Sequence, residues 1–333
     1  MQILGGELVT NETTERARGG SEMMAERLHA SLPKELLKEF QIIVSRVREL
    51  DESKVRVLWL HDLPEDPESS ILLNEGWKKF HILVFVSYWQ RQQYINKFGI
   101  PYSRTTVLPN AIYPIEHPNK FNKDKIRFIY HTTPHRGLEI LVPVFDHLCK
   151  THSNIELDVY SSFSMYGWES RDKPYEGLFE YIKNHDKMRY HGAVSNDEIR
   201  SKLSESDIFA YPCIWPETGC LSLIEAMSAG LICIHNDFCV LPETSANWNH
   251  MYGFQEDPNV HANSFYNVVE TVLRNLNNNE GPMLDRAKMG RDYINSFYDW
   301  RVRALQWQHL LESMLNEPRE LPPEDSEDFV YRS

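Results

Sequence analysis

"DIFAYPCIWPETGCLSLIEAMSAGLICIH", residues 207–235, decides the fold class. Its first part is an aromatic and β-branched run that reads as a strand, "DIFAYP". Pro212, Pro216 and Gly219 then interrupt the chain. From 219 to 229 the apolar residues Leu221, Ile224 and Met227 recur at helical spacing, and "LICIH" returns as a short buried strand. Strand, helix and strand in that order make a crossover unit, which a parallel sheet requires.

The same alternation extends upstream. Strand "IRFIY" (126–130), helix 137–150, strand "IELDVY" (155–160), helix 175–185, strand "MRYHG" (188–192) and helix 195–204 lead into it. A first series precedes that one, with strands "FQIIVSRV" (40–47), "VRVLWL" (55–60) and "ILVFVS" (82–87). Helices "GGSEMMAERLHASL" (19–32) and "YWQRQQYINKF" (88–98) belong to it, and "TTVLPNAI" (105–112) reads as its last strand and exit. Two doubly wound α/β units are implied, joined by the aperiodic, proline-bearing "YPIEHPNKFNKDK" (113–125) as a linker. After residue 260 the pattern is helical only, and Trp300, Ala304, Trp307 and Leu311 share one face of the last helix. The acidic "EPRELPPEDSEDFVYRS" (317–333) reads as a loosely ordered tail.

Composition narrows the function. With 333 residues, 41% of them hydrophobic, the chain can bury the cores of two domains. A net charge of −13 opposes binding to nucleic acid or anionic lipid, although Arg16 and Arg18 in "TERARGGSE" leave room for a local basic patch or an exposed loop. Five cysteines, an odd number without a CxxC pair, argue against a disulfide framework or a zinc site and for a reduced interior. No stretch has the length of a membrane span, and "MQILGGELVT" is too short and polar for a signal peptide, so the cytoplasm is the expected compartment.

The break before the 219–229 helix suggests chemistry. Backbone N–H groups of Thr218, Gly219, Cys220 and Leu221 at a helix N-terminus make an anion site, for which phosphate is the natural guest. Glu225 lies about 8 Å further along the axis, a reach suited to the hydroxyls of a ribose beyond a diphosphate, while Glu217 precedes the helix on the other side. The competing reading is that Glu217 complements the helix dipole and Glu225 occupies a solvated face.

"PETGCLSLIEAMSAG" (216–230) resembles the Glu-x7-Glu motif of family-4 retaining glycosyltransferases of the GT-B fold. "VFVSYWQRQQY" (84–94) and "VLPNAI" (107–112) resemble the end of that family's N-terminal domain, and "YHTTPHRGLEIL" (130–141) its diphosphate loop. The resemblance covers about residues 1–315 and is densest over 126–240. It implies two Rossmann-like domains facing across a cleft, 1–115 on the acceptor side and 116–296 on the donor side. A crossover helix, 297–316, would return to the first domain.

The resemblance also implies roles. Glu217 would contact the donor sugar, Glu225 the ribose, and the backbone of Thr218, Gly219, Cys220 and Leu221 the sugar and diphosphate. Arg136 would neutralise the diphosphate. The family's second cation is replaced by His131, flanked by Thr132 and Thr133, so hydroxyls and the helix start at Gly137 are the expected substitutes. Gly19 and Gly20 would form the glycine turn near the donor phosphate, His61 would approach the donor sugar, and Tyr160, Ser161, Gly192 and Val194 would line the base pocket by position in the fold. No Asp-x-Asp occurs, so neither a metal nor a cofactor is expected.

The activity so implied is transfer of a sugar from a UDP-, GDP- or ADP-sugar to an acceptor hydroxyl on a glycan, lipid-linked sugar or small molecule, with retention and an alpha linkage. Acceptor selectivity would lie in loops around 7–20 and 61–76. A nucleotide-sugar epimerase or a phosphorylase shares the architecture but not this motif. A non-catalytic nucleotide-sugar or glycan-binding module is the alternative.

Overall fold

The computed structural model describes residues 1–9, 19–118 and 121–316. These divide into two compact units, one of residues 1–9, 24–108 and 304–316 and the other of 19–23, 109–118 and 121–303.

The first unit comprises β1 (Gln2–Leu4), β2 (Glu7–Val9), most of α1 (Gly20–Ser31), α2 (Lys34–Leu37), β3 (Phe40–Val44), β4 (Val55–Leu60), β5 (Ile82–Phe85), α3 (Tyr88–Phe98) and β6 (Thr105–Val107). Its sheet runs β2-β1-β3-β4-β5-β6. Strands β3 to β6 are parallel, whereas β1 is antiparallel to both β2 and β3. This N-terminal hairpin turns on Gly5 and Gly6, both at positive φ, which glycine adopts without a steric penalty. Strand β3 stops at Val44, short of the expected 47, because Ser45 takes φ 55° while its N–H still reaches the Trp59 carbonyl at 2.9 Å. Helix α3 begins where Ser87 Oγ accepts the Gln90 N–H at 3.0 Å and ends at left-handed Gly99.

The second unit begins with β7 (Ile126–Tyr130), α4 (Leu138–Leu148), β8 (Ile155–Val159), α5 (Glu176–Lys183), β9 (Met188–Tyr190) and α6 (Asn196–Leu203). It continues through β10 (Ile208–Tyr211), α7 (Leu221–Ser228), β11 (Ile232–Asn236), α8 (Leu241–Ser245) and β12 (His250–Tyr252) to the helices α9 (Pro258–Asn278), α10 (Gly281–Phe297) and α11 (Trp300–Asn316). All pairings in its sheet are parallel, in the order β12-β11-β10-β7-β8-β9. Chain order reverses between β7 and β10, so the loops leaving these two neighbours diverge and open a crevice at their carboxyl ends.

The segment after Leu108 belongs to the second unit earlier than the expected boundary at 116. It pairs no long strand, so its backbone polar groups find side-chain partners there: the Ile115 N–H donates to Ser228 Oγ at 2.9 Å, and Arg200 Nη2 donates to the Tyr113 carbonyl at 2.7 Å. The 113–125 stretch is therefore, over its first residues, a docked strap and not a loose linker. Residues 304–316 of α11 count with the first unit, where fully buried Trp307 meets Trp59 edge-on at 4.8 Å. Ala304, expected on the same buried face, is only half-buried. Arg16, Arg18 and the acidic 317–333 segment lie outside the described residues. Among the described residues no helix is long and apolar enough to cross a membrane.

Candidate active site

Two loops at the β7/β10 switch point meet through Gly137. Its φ is 129°, and a Cβ there would stand 2.2 Å from the Pro212 carbonyl oxygen, so only glycine lets the β7 loop lie against the end of β10. A short 3-10 turn, Pro134–Arg136, precedes it and aims Arg136 across to Glu217. Arg136 Nη1 donates to Glu217 Oε1, and the Tyr211 hydroxyl donates to the same oxygen at 2.5 Å. Arg136 Nε is fixed by Thr133 Oγ1 at 3.1 Å. Burial works against the guanidinium charge, but the adjacent Glu217 carboxylate outweighs it and keeps Arg136 protonated well above its usual range.

Helix α7 starts at Leu221, two residues after the expected start at 219, with Cys220 as its N-cap; the Cys220 carbonyl accepts the Ile224 N–H at 3.2 Å. The N–H groups of its first turn have no intrahelical backbone partner. Thr218 and Gly219 are half-buried, and the Gly219 carbonyl accepts from Asn110 Nδ2 at 3.4 Å. Leu221 is half-buried and touches the position a Gly20 Cβ would occupy, at 3.0 Å; a Gly19 Cβ would stand 2.7 Å from the Tyr166 ring. Gly20 thus lies against the first residue of α7, and Gly19 against Tyr166.

Glu225 is buried, not solvated. Asn196 Nδ2 donates to its two oxygens at 3.1 and 3.3 Å, and Arg200 Nη1 lies 3.4 Å from Oε1. Glu217 is likewise 6% exposed. Burial excludes the solvated-face reading of Glu225, whereas Glu217, buried just before the start of α7, still complements the helix dipole.

His131, Thr132 and Thr133 close β7 and are all buried. The His131 ring tilts against Phe209 at 5.0 Å, and burial pushes its pKa down to about 3, so it is a neutral group where the family places a cation. Thr133 is occupied in positioning Arg136. Four buried polar atoms around these loops have no hydrogen-bond partner among the described residues: Asn110 Oδ1, His131 Nε2, His135 Nδ1 and Ser161 Oγ. Native interiors rarely leave such groups orphaned, so these four are open to a bound polar ligand or water. At the end of β8, Tyr160 stacks on His191 at 4.3 Å with 8° between planes, next to Ser161 and left-handed Gly192; Val194 is half-buried.

His61 lies in the first unit, at the end of β4, beside Trp59 at 4.7 Å with its N–H on Ser45 Oγ at 3.0 Å. Burial lowers its pKa to about 3, making it a neutral side chain. Tyr211, Asn196 and Arg200 are functional candidates that sequence spacing does not reveal. The available signal is weak: a tyrosine ending a buried strand, and an i, i+4 polar pair on a short capped helix. Among the described residues no three His, Cys, Asp or Glu side chains gather as a metal-ligand set, and all five cysteines are free.

The chain is similar to the GPI3 subunit of phosphatidylinositol N-acetylglucosaminyltransferase from Saccharomyces cerevisiae, 21% identical over 206 residues that cover 59% of this chain and 42% of that protein. It thus spans less than half the length of that curated relative. Among solved structures it resembles a glycosyltransferase from Rickettsia africae, at a TM-score of 0.65 and 13% identity over 93% of this chain and 85% of that one. Anabaena HepE in complex with UDP-glucose aligns at a TM-score of 0.60 and 15% identity, covering 78% of this chain and 72% of that one. These structures share the GT-B architecture of two Rossmann-like domains. Residues 113–286, just over half of the sequence, match the family described as Glycosyl transferases group 1. The chain belongs to the glycosyl transferases group 1, a family of glycosyltransferases.

Proposed function

We propose that the chain transfers a sugar from a nucleotide-sugar, foremost a UDP-sugar, to an acceptor hydroxyl with retention and an alpha linkage, and without a metal. The observation that carries this reading is the convergence on one sheet crevice of the α7 N-terminus, Arg136 and Glu217, with Glu225 set into the same helix.

In this reading the diphosphate lies at the N-terminus of α7, where backbone N–H groups and Arg136 supply the positive charge that stabilises the departing nucleotide. Glu225, preset by Asn196 and Arg200, accepts hydrogen bonds from the ribose hydroxyls. Glu217 directs its Oε2 to the sugar hydroxyls, since both of its protein donors bind Oε1. Tyr160, Ser161 and Val194 flank the base. The acceptor attacks the face from which the nucleotide leaves, and a donor phosphate oxygen takes its proton. UDP is favoured because HepE is described with UDP-glucose, and N-acetylglucosamine because the yeast relative is named for that sugar. The free thiols support a reducing, cytoplasmic setting.

The test is incubation with UDP-N-acetylglucosamine, UDP-glucose and GDP- and ADP-sugars against a panel of glycan, lipid and small-molecule acceptors. Product mass is read by mass spectrometry and anomeric configuration by NMR. The expected result is nucleotide release coupled to an alpha-linked product. A beta-linked product would overturn retention, and nucleotide binding without turnover on any acceptor would favour a non-catalytic module.

A further inference from the structure

Arg136 and Tyr211 both donate to a single oxygen of Glu217. They differ in setting. Arg136 arises from a loop turn and its side chain is 22% exposed, so a diphosphate can draw it away. Tyr211 is the last residue of β10, paired in register with His235 of β11, and is fully buried between Tyr130 at 6.3 Å and Phe209 at 5.3 Å. Its hydroxyl cannot follow a ligand. Were Arg136 its only partner, Glu217 would lose its fixed orientation whenever the donor arrived.

We propose that Tyr211 is a positioning residue: it holds Glu217 aimed at the donor sugar while Arg136 exchanges that carboxylate for the diphosphate. The proposal rests on the donor-site reading above. Burial strengthens it by raising the Tyr211 pKa well above the usual phenol range, which keeps the hydroxyl a donor at every working pH. The exchange also gives the site a reason to hold this loop cation in a pair: Arg136 stays folded against β10 until a competing anion enters.

The decisive experiment measures affinities for UDP and for a UDP-sugar by calorimetry in the wild type, Tyr211→Phe, Glu217→Gln and the double variant. Removing a hydrogen bond to a charged group predicts that Tyr211→Phe lowers UDP-sugar affinity relative to UDP by about tenfold and leaves UDP affinity within about twofold. In the Glu217→Gln background the same change should alter that ratio by less than about twofold, because a positioning role has nothing left to position. An equal loss in both backgrounds, or no loss in either, overturns the proposal while leaving the donor site standing. A wild type that binds neither ligand overturns both. Thermal unfolding of each variant verifies that the fold survives the isosteric change.

Discussion

Asn196 donates to both oxygens of Glu225 from a helix twenty-nine residues earlier in the chain, at 3.1 and 3.3 Å. Two elements therefore fix a carboxylate that neither fixes alone. Asn196 is the first residue of α6, whose N-cap Ser195 accepts the Glu198 N–H at 3.2 Å, so the amide is tied to a rigid helix start. If Glu225 grips the ribose, Glu225→Ala should weaken UDP binding by about tenfold. The same variant should bind UDP and 2′-deoxy-UDP equally. Calorimetric titration of both nucleotides checks this, and a preserved preference for UDP would move the ribose elsewhere.

Gly137 gives a structural prediction with a functional edge. A methyl group there meets the Pro212 carbonyl at 2.2 Å on a backbone at φ 129°. Gly137→Ala should lower stability by roughly 2–4 kcal/mol through combined strain and displacement of the β10 loop. Urea unfolding measures the loss, and a shift within experimental error would show that the two loops can separate freely.

Acid should weaken the fold through its buried and half-buried imidazoles. Folded His131 has a pKa of about 3, and His135, His235 and His250 are pushed down to about 4, all chiefly by burial. Unfolded histidines titrate near 6.5, so below that pH the unfolded chain binds protons that the folded chain refuses. Stability is thus complete above about pH 6.5 and falls as the pH drops toward 3, by up to about 1.4 kcal/mol per pH unit for each such group. Urea unfolding at pH 7.5 and 5.5 should show the decline, with a shallower slope in His131→Gln. An unchanged slope would place His131 in contact with solvent.

The last helix contributes an aromatic anchor. Trp307 is fully buried against Trp59, and Leu311 and Met314 follow it on the same side. Trp307→Ala should destabilise the chain by about 3–5 kcal/mol. Thermal unfolding reads this directly; a loss below 1 kcal/mol, the size expected at a surface position, would mean that the helix is not part of the first unit's core.

Much of this fold is legible in sequence because long amphipathic and buried runs carry their own period. Strand Val55–Leu60 and helix Tyr88–Phe98 match their expected limits. The β1/β2 hairpin and β12 are three residues per strand, too short to display any period, although the Gly5-Gly6 turn is a local sign of the former. At the site, Glu217 and Glu225 are legible because one helix and its entry loop fix their spacing. Asn196, Arg200 and Tyr211 are not, since their roles depend on which strands neighbour each other. The burial of Glu225 follows from that pairing, not from its own helix.

A single titration bears most directly on the central claim that the crevice between the β7 and β10 loops holds a nucleoside diphosphate. UDP is titrated calorimetrically into the wild type and into Arg136→Ala under identical salt. The account predicts saturable one-site binding to the wild type and an affinity lower by about tenfold or more in the variant, the scale of a lost charge-assisted contact. Equal affinities in the two proteins, or no saturable binding of UDP, GDP or ADP to the wild type, would contradict it.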